Sequence, residues 1–161
     1  MGTCRHKAFC IDAFVKQTSI TEAVKWLYNF HASLPQDVAC RFYMEEVFLQ
    51  DMFYEDFDAE ARLRGYYLPI AGDKRQKPDK FARIQAIAPL WERGMVTYDI
   101  RQKHNQHMIN SINQTLGFQK GSTIHDDAPD ADEGAIFKLM QQGRQEAFPG
   151  KIGKRKRRGG W

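Results

Sequence analysis

Apolar residues along the chain recur with two periods, about two residues in some stretches and about 3.6 in others, and the changes between them predict alternating strands and helices. His6 to Val15 holds the run Ala-Phe-Cys-Ile-Asp-Ala-Phe-Val, which predicts a strand mostly buried on both faces, the first in the chain. Ser19 and Glu22 form a capping-box pair. Ile20, Ala23, Val24, Leu27, Phe30 and Leu34 follow at helical spacing, so a helix is expected up to about Pro35. Val38 to Met44 returns to an extended pattern that runs into Glu45 and Glu46, with Val47, Phe48 and Leu49 beyond. Asp51 to Arg64 reads as a second helix stopped by Gly65, and Tyr66 to Ile70 as a short strand.

Gly72 to Asp79 is polar, basic and contains proline, which predicts a loop whose Asp79 caps a helix bearing Phe81, Ile84, Ile87, Ala88 and Trp91. Gly94 ends that helix, Met95 to Tyr98 reads as a strand, and Met108, Ile109, Ile112 and Leu116 mark a helix closed by Gly117. His125, Asp126, Asp127 and Asp130 then lead into a last helix with Ala131, Ala135, Ile136, Leu139 and Met140. This alternation predicts an α/β layered fold around a central sheet.

Length and composition narrow the class. The 161 residues suit one domain with its own core, here 1–148, and 42% hydrophobic with 27% charged residues is a globular balance. No apolar stretch is long enough to span a bilayer and no basic-then-apolar leader is present, so a soluble, intracellular protein is expected. Cys4, Cys10 and Cys40 are odd in number and contain no Cys-x-x-Cys pair, which points to buried free thiols and away from a disulfide framework or thiolate zinc site. The net charge of +4 is concentrated: Lys151, Lys154, Arg155, Lys156, Arg157 and Arg158 are six of the 24 basic residues, and without them 18 would face 20 acids. Residues 149–161 are therefore expected to form a basic tail without fixed structure, either a nucleic-acid contact or a solvated extension.

Acids gather at two places, Glu45 with Glu46 at the end of a strand, and Asp126, Asp127 and Asp130 at the start of a helix. Phosphodiester cleavage with two divalent metals requires carboxylates from several elements, because each hard cation takes oxygen ligands and the ions sit roughly 4 Å apart. Two groups converging at one edge of a sheet would meet that need. Acids at a helix N-terminus also answer its dipole, so Asp126 and Asp127, taken alone, read first as a capping pair.

Three segments taken together are more specific: Lys80-Phe-Ala-Arg-Ile, then Pro89-Leu-Trp-Glu-Arg-Gly-Met-Val, then His125-Asp-Asp-Ala-Pro-Asp-Ala. In order and spacing, over roughly Phe9 to Met140, they resemble the C-terminal nuclease domain of phage terminase large subunits. The resemblance implies a ribonuclease-H-like fold, a mixed sheet flanked by helices, and a metal-dependent endonuclease that cuts concatemeric viral DNA for packaging. It implies two Mg²⁺ or Mn²⁺ ions. Glu45 would be the catalytic acid at the end of its strand, since Glu45-Glu-Val-Phe-Leu-Gln is similar to the family's run with Val47 in place of the usual Asn. Asp126 and Asp127 would be the last catalytic acids and metal ligands, Asp127 preferred, with Asp130 a weaker ligand and Glu46 a bystander.

The family's first catalytic Asp lies on a strand upstream of the one aligned with Phe9 to Val15, and only Met1 to Ala8 precede that strand here. The resemblance therefore implies an N-terminally truncated domain lacking its first strand, either needing an acid from outside the chain or surviving as an inactive DNA-binding or assembly remnant. Asp12 could substitute, although inside a strand it reads first as structural or as a neighbour of the site. The partners implied are double-stranded DNA, the upstream ATPase part, the small terminase subunit and the portal, in the cytoplasm of an infected or lysogenic bacterial host. There is no Gly-rich Lys-Ser or Lys-Thr loop, so the chain is not the motor. No glycine fingerprint follows the first strand, which ranks a nucleotide-type small-molecule enzyme last.

Further residues divide between two readings. Lys74, Arg75, Lys77 and Lys80 would bring positive charge to a DNA backbone near the acids, as would Lys154, Arg155, Lys156, Arg157 and Arg158 in the tail, or all would be solvated. His125 would position a phosphate or lie on the surface. His104 and His107 lack the i, i+4 spacing of a zinc pair. Trp26, Phe81 and Trp91 fall on apolar helix faces and read as core.

Overall fold

The computed structural model describes residues 1–4, 7–46, 53–75, 79–121 and 123–147. In chain order the elements are β1 (Gly2–Cys4), β2 (Lys7–Cys10), α1 (Ile20–Ser33), β3 (Phe42–Glu45), α2 (Tyr54–Arg64), β4 (Ile70–Asp73), α3 (Lys80–Glu92), β5 (Val96–Tyr98), α4 (Gln106–Gly117) and α5 (Asp127–Ala147). The class is mixed α/β. In place of one central sheet there are two small ones among the described residues, ordered β1-β2-β5 and β3-β4. The chain divides into two compact units, the first made of Met1–Ala13 with the chain from Lys80 onward, the second of Phe14–Asp79.

In the first unit β1 runs antiparallel to β2, with Gly2 opposite Phe9, and β2 runs parallel to β5, with Ala8 opposite Val96. The expected strand from His6 to Val15 is shorter and one-sided. Cys10 is buried while Phe9 is 38% exposed, so only alternate residues meet the core. Pairing stops because Asp12 Oδ1 takes the backbone N–H of Ala13 at 2.8 Å and the side-chain amide of Asn105 at 3.2 Å, a local arrangement that competes with a ladder. Asp12 thus stands in the irregular segment after β2, not inside a strand. His6 lies outside the described residues.

Three helices complete this unit around buried Cys10, Ile84, Val96, Met108, Ala128 and Ile136. α3 ends in a Schellman-type closure, in which the N–H of Met95 reaches Leu90 O at 2.8 Å and that of Gly94 reaches Trp91 O at 2.9 Å. Gly94 sits at φ 64, where a side chain would be strained, and the closure turns the chain directly into β5. α4 is capped by Asn105, whose side chain accepts from the N–H of His107. The start of α5 leans on α4, since Gln114 Oε1 accepts from Ala128 N at 3.0 Å.

In the second unit the capping pattern at Ser19 forms as expected, its hydroxyl accepting from Glu22 N at 3.2 Å, and α1 buries Val24 and Tyr28 against Phe57, Ala61 and Leu68. The Tyr28 hydroxyl lies within reach of the carbonyls of Phe57 (3.5 Å) and Tyr66 (3.4 Å). Gly65 closes α2 at φ 78, with its N–H on Ala61 O. Asp51 and Val47 to Leu49 lie outside the described residues.

The strand expected over Tyr66 to Ile70 instead begins at Ile70 and runs through Gly72 and Asp73, into the segment expected to be a loop. Pro69 has no N–H to give a ladder, so Tyr66 and Leu68 turn inward to the Tyr28 core and pairing starts after the proline. The strand expected over Val38 to Met44 likewise starts late, at Phe42, whose N–H bonds Pro69 O at 3.0 Å. β3 and β4 pair in parallel from Phe42 opposite Ile70 to Glu45 opposite Asp73.

The three cysteines do not share one environment: Cys10 is buried, Cys40 intermediate and Cys4 exposed, so the expectation of buried thiols holds for Cys10 alone. Of the described residues, no helix is long and apolar enough to cross a membrane. Loss of the α1 cap gives a test of this fold. Ser19→Ala should lower stability by about 1 kcal/mol, read as a lower urea midpoint at unchanged slope, while Ser19→Asp should retain it.

Candidate functional site

The two acid groups of the sequence belong to different units. In the second, Glu45 closes β3 and Asp73 closes β4 as register partners of a parallel pair. Phe42, Met44 and Ile70 pack on the core, so alternation sends Glu45 and Asp73 to the opposite face of the sheet together. Two carboxylates therefore stand side by side at the C-terminal edge of parallel strands, the edge where open α/β sheets place their ligands. Asp73 Oδ1 also accepts from Arg75 N at 3.3 Å. The sequence pattern does not single out Asp73, because it predicts β4 over Tyr66 to Ile70 and a loop from Gly72. The signal was the extended Ile-Ala-Gly-Asp after Pro69. Glu46 pairs with Lys74 at 3.0 Å, a contact on the solvent side worth little by itself.

In the first unit Asp126 precedes α5, and Asp127 and Asp130 lie in its first turn. Here the segment from α3 meets the segment from α5. Lys80 Nζ is 2.7 Å from Asp126 Oδ1 and 3.6 Å from Asp130 Oδ2, and the Arg83 guanidinium pairs with Asp130 and Glu133. Exposure falls along this network from 40% at the Lys80 side chain to 7% at Arg83 and 6% at Glu133, so it runs from solvent into the core. Burial works to lower the Lys80 pKa, but the hydrogen bond to Asp126 and the charges of Asp130, Asp126 and Asp127 outweigh it and hold the ammonium above its ordinary value. The cations of Lys80 and Arg83 thus face the carboxylates of Asp126, Asp127, Asp130 and Glu133.

Two residues after Asp130, on another side of α5, Asp132 is 7% exposed, and its Oδ2 has no hydrogen-bond partner among the described residues. Burial pushes this carboxyl up to about 6, against the pull of the amino terminus and the Thr115 hydroxyl. The same apolar surroundings, then the charge of Asp132, push the Cys10 thiol up to about 11 and the Tyr98 phenol up to about 12. Cys10 is accordingly a packed thiol and not a nucleophile.

Among the described residues, no group of three or more His, Cys, Asp or Glu is gathered closely enough to hold a metal ion by itself. The donor chemistry nevertheless suits a hard divalent ion, because Mg²⁺ is commonly held by one or two carboxylates with water and substrate phosphate completing the shell. Asp126 and Asp130 already converge on one cationic atom. Of the remaining candidates, His125 is exposed, Arg75 is half-buried, and Lys77 with Lys154, Arg155, Lys156, Arg157 and Arg158 lies outside the described residues. Trp91 donates to the Tyr98 hydroxyl at 3.0 Å and Phe81 stacks on Phe118, whereas Trp26 stacks between Phe14 and Phe30, away from the Val24 and Tyr28 core.

Fold and site thus define a mixed α/β protein with carboxylate groupings at a sheet edge and at a helix start. Comparison of the chain with protein-family models, with curated proteins and with solved structures finds no match.

Two outcomes test this geometry. Breaking the buried pair with Arg83→Met would remove the guanidinium that faces Glu133 and Asp130 and should cost about 3 to 5 kcal/mol, measured by chemical denaturation. Lys80→Met, nearer solvent, should change stability by less than about 1 kcal/mol. Asp132 should govern the pH dependence. Its folded pKa, about 6, is above the unfolded value of 3.8, so stability should fall as pH rises between them and the loss should be complete above that window. The difference is roughly 3 kcal/mol, and Asp132→Asn should abolish it while raising the melting temperature at pH 7.5.

Proposed function

We propose that the chain is a metal-dependent DNA endonuclease part of a phage terminase large subunit, with a ribonuclease-H-like fold. One observation carries this reading. The segments Lys80-Phe-Ala-Arg-Ile and Asp126-Asp-Ala-Pro-Asp-Ala, which bear the resemblance from separate parts of the sequence, meet in space through Lys80, Arg83, Asp126 and Asp130. Residues that must answer each other's charge are a physical reason for two such segments to occur together.

In this reading Glu45, with Asp73 beside it, and Asp126 or Asp127 are the groups that hold divalent ions, Mg²⁺ or Mn²⁺. Asp130 serves as a weaker ligand, turned partly toward Arg83. When bound, such ions lower the barrier to water attack and offset charge building on the phosphate oxygens. Lys74, Arg75 and the basic residues of the tail would meet the phosphates of double-stranded DNA, making binding salt-dependent without sequence preference. The ATPase part, the small subunit and the portal belong to the same reading as partners.

A second reading, a DNA-binding or assembly module without the chemistry, is favoured by one feature: Asp126 and Asp130 are engaged by Lys80 and Arg83. Nicking of supercoiled plasmid in Mn²⁺ separates the two. The nuclease reading expects nicking that falls at least about a hundredfold in Glu45→Ala and in Asp127→Ala, and clearly in Asp73→Asn. Duplex binding without nicking by any of these proteins supports the second reading, and failure of both binding and nicking sinks the two together.

A further inference from the structure

Gly2 on β1 stands opposite Phe9 on β2, and residues directly opposite in an antiparallel pair share one face of the sheet. Gly2 has no side chain, so that face has a hollow beside the Phe9 ring. A Cβ at Gly2 would come within 3.2 Å of Ile11 Cδ1, and Ile11 therefore bounds the space. The groove, of about 390 Å³, is lined by Gly2, Phe9 and Ile11 together with Asp99 and Arg101 from the chain after β5, all within the first unit. Its volume falls in the range of roughly 300 to 1,000 Å³ usual for small-molecule sites. Phe9 is 38% exposed while Cys10 beside it is buried, so the core does not use the whole ring.

The short 3-10 turn Ile100–Gln102 fixes a charge at this groove. Asp99 caps the turn, accepting from Arg101 N at 2.9 Å, and its carboxylate also takes Arg101 Nε at 2.9 Å and Nη2 at 2.6 Å. A guanidinium carries five N–H groups, so three are left over from this pairing. The Arg101 side chain is 82% exposed against 15% for Asp99, and the pair thus turns its cationic end outward. An arginine oriented by a carboxylate that uses only part of its fork is preset to receive an anion. Lys103, two residues on, is exposed and adds a second cation to the same turn.

We propose that this groove takes one unstacked nucleotide, its base on the Phe9 ring and its phosphate on Arg101. An exposed aromatic ring next to a cation supplies the two contacts that hold single-stranded nucleic acid, since every base has a face to stack and every residue a phosphate to pair. Bases inside a duplex have no free face to offer, so the groove distinguishes the two forms. This rests on the nucleic-acid reading given above and adds to it a place for a strand that has left the duplex.

The test is the affinity of the full chain for a short labelled oligothymidylate and for a duplex of the same length, read by fluorescence anisotropy with a chelator present so that neither is cut. The basic residues near the end of the chain act on both forms, and the difference between the forms isolates the groove. Phe9→Ala should weaken single-strand binding about tenfold, the loss of one base–ring contact, and leave duplex binding unchanged. Phe9→Trp should keep the affinity. Gly2→Val, which fills the hollow, should weaken single-strand binding to a similar degree and serves should Phe9→Ala fold poorly. Arg101→Gln should reduce the salt slope by roughly 0.7, the share of one phosphate on a single strand. Displacement of the oligothymidylate by thymidine 5′-monophosphate supports a site for the free nucleotide, and displacement only by an unlabelled strand supports one for a nucleotide within a strand. Equal single-strand affinity in the parent, Phe9→Ala and Gly2→Val would overturn the groove and leave the nucleic-acid reading standing. Equal losses on single strand and duplex would overturn it as well. Absence of binding to either form by every protein would overturn both.

Discussion

A guanidinium taken out of water has to be answered by negative charge, and in the first unit that requirement ties α3 to α5. Arg83 reaches Asp130 and Glu133 from one turn inside α3, and with Ile84 and Ile136 buried nearby the pairing gives the two helices a fixed register. Everything else at the start of α5 follows from it. Lys80 is one helical turn before Arg83, so once Arg83 is seated on Asp130 the ammonium falls beside Asp126. The acids at the helix start are thereby held by charge from a neighbouring helix, in addition to any help from the helix dipole.

The same helix carries a second, opposite environment. Asp132 sits on the side of α5 that meets Cys10, Tyr98 and Thr115, where charge is penalised and no cationic side chain among the described residues pairs with it. A chain of polar contacts leads from Trp91 on α3 through Tyr98 on β5 to Thr115 and Asp132, so the carboxyl least at ease is joined to every layer of the unit. An acid paired with cations from α3 and a core acid whose pKa burial raises to about 6 thus occupy positions two residues apart. The second unit builds its acids by another route. There the parallel register of two short strands, and not an ion pair, sets Glu45 beside Asp73.

How much of this was legible beforehand depended on the range of the interaction. The caps at Ser19 and Gly65, the stop at Gly94 and the four later helices involve residues a few positions apart, and these were readable to within a few residues. Strand limits were not, because they depend on competition that the pattern does not display. Asp12 spends its oxygen on Ala13 and Asn105 and ends β2 early, and Pro69 delays β4 until Ile70. The delay also hid Asp73, since an acid in a loop and an acid at a strand end look alike in the sequence.

The sequence by itself determined where helices begin and stop, that the chain is mixed α/β, and that acids cluster after β3 and before α5, because capping, helical periodicity and composition are local properties. Tertiary structure alone decided which charges meet. Lys80 and Asp126 are 46 residues apart, Arg83 and Glu133 are 50 apart, and Glu45 faces Asp73 only through strand register. The division into two sheets was decided there too. Such pairings turn on desolvation and on the geometry of packed elements, which exist only once distant segments are brought together.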